Sequence, residues 1–270
     1  MSTPLVATWA AAAILVSAYI AAAQPAPVPA PGTDASRKWE ITDNSFLVEE
    51  SFNQEAGVFQ NIFTWTHSRS GEWAASFTQE WPAPGMAHQF SYTIPFSRRD
   101  GVGGVNDALL NYRYQLMEEG AGRPAISPRL SLVLPTGRES DGLGAGTAGV
   151  QVNVPASKQF GDLYLHVNGG WTWFPHPHLT SPQIAGSGIW RAAPMLNVML
   201  EAVMQFIETA PDGIAADGRS RVFTLSPGFR RGWNVGERQV VVGAAVPFTR
   251  ADGTTRAALL GYFSCELPFK

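Results

Sequence analysis

The sequence predicts an all-β fold: an antiparallel, up-and-down barrel of about twelve strands, closed on itself and spanning a membrane. Three observations predict it. Large apolar residues recur at every second position in segments of about ten residues separated by turn residues, the period of a strand with two unlike faces. Charged residues make up only 15% of the 270-residue chain, against about a quarter in an average soluble domain. Mean hydropathy is nonetheless close to zero, so apolar and polar residues are interleaved rather than gathered into long greasy runs.

The elements follow in chain order. Leu5 to Ala23 is apolar or small throughout, and Ala21-Ala22-Ala23 stands before Gln24. Small residues in that pattern mark a cleavage site, so residues 1–23 read as an export signal. The segment lacks Lys and Arg and is nearly long enough to span a bilayer, so an uncleaved anchor is the alternative; the small-residue site and the prolines after it favour processing. Pro25, Pro27, Pro29 and Pro31 make residues 24–43 a stiff spacer. Residues 44–270 then carry the barrel, and no later stretch reaches the roughly 18 apolar residues of a transmembrane helix.

From Asn44 onward thirteen segments are candidate strands. "VFQNIFTWTHS", "EWAASFTQEW", "MAHQFSYTIPF", "DALLNYRYQL", "PRLSLVL", "AGVQVNV" and "DLYLHVNGGWTWF" come first, followed by "SGIWRAA", "LNVMLEAVMQFIE", "RVFTLSPGF", "RQVVVGAAVPF" and "AALLGYFSCELPFK". The thirteenth, "NSFLVEESFN", precedes them all and fits least; it is expected to lie inside the barrel or to pair irregularly. A soluble sandwich would also alternate. Three features favour a membrane: Trp65, Trp73, Trp81, Trp171, Trp173 and Trp190 fall near strand ends, where interfacial girdles sit; many strands are longer than the usual five or six residues; and the export signal supplies the compartment. Links such as "PTGRESDGLGAG", "TAPDGIAADGR", "PHPHLTSPQIAG", "SRRDGVGGVN" and "RADGTT" are long and fall at one end, while "MEEGAGRPAIS" is long at the other.

The last strand sets Leu259, Phe263, Leu267 and Phe269 on one face. That face is expected to meet the lipid of a bacterial outer membrane, because a closed barrel satisfies every backbone group internally. Its terminal aromatic resembles the signal that outer-membrane proteins present to the barrel-assembly machinery, with Lys270 after Phe269 as a departure. Outward apolar faces would mean membrane; inward ones would mean a soluble periplasmic barrel or sandwich.

The stretch "PRLSLVLPTGRESDGLGAGTAGVQVNVPASKQFGDLYLHVNGG", with "NSFLVEESFNQEAGVFQ" and "DALLNYRYQL" before it, resembles the meta-pathway of phenol degradation family. The resemblance covers most of the mature chain and is strongest over residues 128–170. It implies a transporter-like outer-membrane barrel associated with uptake of aromatic compounds, and it carries over no catalytic residue.

Other motifs resolve to bland readings. Gly144, Gly146 and Gly149 spell G-x-G-x-x-G, but a strand follows where a dinucleotide fingerprint needs a helix. Asp-Gly at Asp100, Asp141, Asp212, Asp217 and Asp252 reads as turns rather than calcium loops. His176 and His178 lack further nearby ligands for a metal. Cys265 is alone, which rules out an intramolecular disulfide and a Cys-based zinc site. A net charge of -3 gives no footprint for nucleic acid. A lipid-modifying barrel enzyme would need a Ser-His pair; Ser131, His166 and Glu201 lie on polar faces, but nothing in their spacing marks a nucleophile. No catalytic, cofactor or metal site is therefore expected. The candidate functional residues are those that parity turns inward: Glu49, Glu80, Arg113, Arg129, His166, Glu201, Arg230 and Glu266. They carry both signs, so they either line a pore for a small solute or cross-link to plug it.

Overall fold

A computed structural model describes residues 40–41, 45–54, 56–175, 179–209, 218–236 and 238–268. The export signal, nearly all of the spacer, His176, His178, Asp212, Asp217, Phe269 and Lys270 lie outside the described residues.

Among the described residues fifteen strands follow one another: β1 (Val58–Ser68), β2 (Trp73–Pro82), β3 (His88–Arg99), β4 (Val102–Val105), β5 (Ala108–Tyr114), β6 (Ala125–Ile126), β7 (Arg129–Leu134), β8 (Gly149–Phe160), β9 (Leu163–Phe174), β10 (Leu179–Ala193), β11 (Leu196–Thr209), β12 (Gly218–Val235), β13 (Arg238–Ala245), β14 (Phe248–Ala251) and β15 (Thr254–Pro268). Each pairs antiparallel with its sheet neighbours, and β1 pairs with β15 from Val58↔Pro268 to Ser68↔Ala258, which closes the barrel.

The fifteen strands build twelve staves, because three staves are interrupted. β6 and β7 share one register against β8, broken at Ser127–Pro128. β13 and β14 share one register against β12, broken at Val246–Pro247. Proline has no N–H to give the ladder, so the pairing lapses there and resumes. β4 and β5 differ: β3 pairs Phe96↔Val105 but Thr93↔Leu109. One extra residue has entered at Asn106–Asp107, a β-bulge, and bulges re-aim side chains.

The alternation sorts cleanly into two environments. Leu110, Leu132, Val152, Leu200, Phe229 and Leu259 are among the apolar residues exposed on the outer surface. Their polar neighbours Asn111, Ser131, Asn153, Glu201 and Arg230 are buried, as is Ser264 beside the exposed Phe263. Apolar side chains facing out from a closed barrel are the membrane arrangement. Trp171 and Trp173 close β9 at one rim, and Trp190 and Trp233 lie near the other, the two levels of an aromatic girdle.

The rim where β1 begins and β15 ends, termed the termini rim, has three two-residue links, 161–162, 194–195 and 236–237, but also the long 115–124 link. Several links that read as long from the sequence are short. β3 turns into β4 through Asp100–Gly101 and β14 into β15 through Asp252–Gly253, with φ of 49 and 83° and of 48 and 77°, the all-positive pair that a two-residue hairpin needs. "LTSPQIAG" belongs to β10. The reason is physical: backbone pairing continues beyond the apolar belt, where apolar and polar residues no longer alternate along the sequence.

Candidate functional site: the filled lumen

Residues 45–54 carry no strand and run inside the barrel; all but Leu47 are buried. A buried backbone without a ladder must find other partners. Here the wall's inward side chains supply them.

Three successive amides, those of Phe46, Leu47 and Val48, donate to one oxygen, Oε1 of Glu201 on β11, at 3.0, 2.7 and 3.0 Å. Asn168 on β9 takes the next peptide on both sides: its Oδ1 accepts from the Glu49 amide at 2.6 Å, and its Nδ2 donates to the Glu49 carbonyl at 2.7 Å. The Ser51 amide donates to Ser157 Oγ at 2.8 Å. The Ser51 carbonyl accepts from Ser127 Oγ and Gln115 Nε2 at 2.8 and 2.9 Å. Arg113 donates to the Phe52 carbonyl at 3.1 Å, and the Gln54 amide donates to Gln89 Oε1 at 2.7 Å. Side-chain amides, hydroxyls and one carboxylate thus do for this segment what neighbouring strands do for the wall.

The charge network is centred on Glu49. Its carboxylate pairs with Arg113 of β5, with Arg129 of β7 at 3.2 Å, and accepts from Asn153 of β8. All four side chains are buried. Glu50 faces the opposite way, 3.7 Å from His166 Nε2 and 4.0 Å from Arg230. Arg230 also reaches Asn197 Oδ1 at 3.2 and 3.3 Å, in the amide orientation that satisfies both groups. The apolar side of the segment is Phe46, which together with Ile41 packs with Ile62, Val241, Leu260 and Tyr262 on the β13–β15–β1 wall. Val48 packs on Ala185 and Val203.

Of the residues that the sequence turns inward, Arg113, Arg129 and Glu201 bond the segment directly, and His166 and Arg230 face its Glu50. Glu80 reaches it through Gln89, whose Nε2 donates to the Glu80 carboxylate at 3.1 Å. His166 bonds Ser157 at 2.8 Å. Glu49 faces inward from the segment rather than from a stave, on a stretch that pairs with no strand. Glu266, opposite Gln60 on β1, is only half-buried. The structure brings His166 to Ser157, not to Ser131, and Ser157 Oγ also accepts the Ser51 amide; this hydroxyl is engaged in seating the segment. A search for charged residues overlooks Asn153, Asn168, Ser157 and Gln89. Their signal was the polar side of the same alternation.

Beyond the segment, toward the rim opposite the termini, the lumen wall changes character. Leu109 (β5), Val133 (β7), Phe174 (β9), Leu179 (β10), Ile207 (β11) and Val222 (β12) turn inward, are buried and form one continuous cluster. β8 contributes Gly149 to this level, where an added Cβ would lie 2.6 Å from the Phe174 ring. The lumen therefore has an apolar collar near one mouth and a polar seat below it. Among the described residues no group of three or more His, Cys, Asp or Glu is placed to hold a metal.

No family model and no curated protein matches the chain. Among solved structures it is similar to an outer membrane channel from Pseudomonas putida F1, with a TM-score of 0.63 and 14% identity over 79% of this chain and 96% of that one. It is also similar to a bacterial polysaccharide outer membrane secretin (TM-score 0.43, 11% identity, 79% and 98% covered) and to OmpT, an outer membrane protein of Vibrio cholerae (0.40, 9%, 79% and 98%). At those TM-scores the last two add nothing to the first. The chain has the fold of an outer-membrane β-barrel.

Proposed function

We propose that the chain is an outer-membrane barrel for the passage or binding of small apolar molecules, aromatic ones included. The observation that carries this reading is the collar. A channel for hydrophilic solutes has a polar, water-filled interior, whereas six apolar side chains line this lumen near its mouth. The resemblance to the meta-pathway of phenol degradation family points to the same solute class, and the fold is shared with a channel. On this reading residues 1–23 direct export, the cleaved protein begins near Gln24, and the C-terminal strand is handed to the barrel-assembly machinery.

The test is reconstitution. Liposomes carrying the barrel should take up a neutral naphthylamine fluorophore faster than empty ones, while planar bilayers show little resting conductance because residues 45–54 fill the lumen. A large steady ion current without fluorophore uptake would identify a polar porin instead. Release of fatty acid from the host lipid, lost on His166→Ala, would support the lipid-modifying enzyme.

A further inference from the structure

The bulge in the fourth stave has a target. Asp107, which it turns inward, is buried, and its carboxylate gathers both ends of the 135–148 link. Oδ1 accepts the Gly137 amide at 2.9 Å, and Oδ2 accepts the Ala145 amide at 2.7 Å. Asn106, the other bulge residue, donates from Nδ2 to the Leu143 carbonyl at 2.9 Å, and its own carbonyl accepts from Thr136 Oγ1 at 2.8 Å. The approach is too close for side chains at the two necks. A Cβ on Gly144 would lie 2.3 Å from Asp107 Oδ1, and one on Gly137 would lie 2.1 Å from the Leu143 carbonyl oxygen.

Between those necks the link is two-faced. Arg138, Glu139 and Ser140 are exposed, with Arg138 paired to Asp141 at 2.8 Å. Leu143 is buried, and Ala145 packs against the lumen collar of Leu109, Val133, Phe174, Leu179, Ile207 and Val222. A surface loop held only by its ends would have no reason to bury Leu143 and seat Ala145 on the collar. We infer that the 135–148 link is a lid over the apolar collar, latched shut by Asp107, and that its release admits an apolar solute from the rim opposite the chain termini. The inference rests on the proposed passage of apolar molecules and names the step that controls entry. The latch suits that task. Two N–H bonds to the Asp107 carboxylate and two bonds with Asn106 hold the lid, and none of them belongs to the strand ladder, so opening leaves the twelve staves paired.

Two variants test it on the full-length barrel in detergent and in liposomes. Asp107→Ala removes both acceptors. Gly144→Ala dislodges the latch from the lid side and leaves the wall untouched, should the first variant fold poorly. Amide exchange at Gly137 and Ala145 should accelerate about tenfold to a hundredfold in each, the factor expected for lost bonds to a charged acceptor, while exchange in β8 and β9 stays unchanged. Entry of the naphthylamine fluorophore should quicken in parallel. Unchanged exchange at both amides would overturn the latch. Faster exchange with unchanged entry of a fluorophore that the unmodified barrel does admit would overturn the lid and leave apolar passage standing. A freed lid on a barrel that admits no fluorophore in any variant would overturn the passage reading, and the lid with it.

Discussion

The collar and the seat share one lumen, and they are held together in opposite ways. Around Glu49 every contact is specific: two guanidiniums and an amide meet one carboxylate, and all four side chains are buried. Around Ile207 contacts are apolar and interchangeable. The seat resists change because a charge left alone in the interior is expensive, whereas the collar can yield because no atom in it requires a partner. A barrel that must hold its inner segment firmly and still let an apolar molecule past its mouth needs both.

The sharpest way to break this comparison is to strip the seat of its centre. Glu49→Ala leaves Arg113 and Arg129 buried without their carboxylate. It should cost about 3–5 kcal/mol, the usual penalty for breaking a buried pair, read as a lower urea midpoint for the loss of heat-modifiable migration. A Glu49→Ala barrel as stable as the parent would mean that water reaches the two guanidiniums and that the seat is wet. The next effect lies on the other side of the wall. Leu132, outward on β7 and exposed, should cost about 2–4 kcal/mol as Leu132→Arg if it sits near the bilayer midplane, measured by refolding into liposomes. The adjacent Ser131→Ala, inward, should change little.

How much of this was legible in the sequence follows from what period two can report. It separates faces, so Leu132 and Ser131 were assigned to opposite sides from their parity alone. It flagged "NSFLVEESFN" as the segment that did not belong among the staves. It could not say where on the wall the inner segment docks, since Glu49 meets Arg113, Arg129 and Asn153, cross-strand partners on three adjacent staves, from a segment that pairs with none of them. Nor could it register the bulge: Asn106 and Asp107 look like any polar pair before a strand. The strand lengths were underestimated for a related reason. In β10 and β12 the ladder runs on past the apolar belt, through residues whose side chains no longer advertise it.

A smaller effect isolates the segment's grip from the wall's stability. Glu201→Gln keeps the shape of the side chain but replaces the charged acceptor of the Phe46, Leu47 and Val48 amides with a neutral one. Hydrogen bonds to charged groups are worth about 1.5–3 kcal/mol each, against about 1 for neutral ones, so the segment should be loosened by about 1–3 kcal/mol while the ladder persists. Planar-bilayer recordings should then show intermittent openings absent from the parent, and a protease added from the termini side should cut near residues 45–54. Silent bilayers with an uncut segment would show that Asn168 and the Glu49 network suffice to hold it.

The smallest change is aimed at the collar. Ile207→Val removes one methylene from a buried, wholly apolar cluster. Such truncations cost about 0.5–1.5 kcal/mol, close to the detection limit for a barrel of this size, so stability is the wrong readout. The informative measurement is the fluorophore. If the collar binds apolar solutes, the lost methylene should weaken retention by about threefold to fourfold, because one buried CH₂ group is worth about 0.8 kcal/mol. Ile207→Asn, which brings an amide to the same place, should weaken it far more. Val241→Ala, a truncation in the apolar packing around Phe46 rather than in the collar, supplies the control. It should loosen the fit of the segment and leave retention unchanged. Equal losses from Ile207→Val and Val241→Ala would place the solute beside the inner segment instead of above it, and the distinction between the two layers would then be one of packing alone.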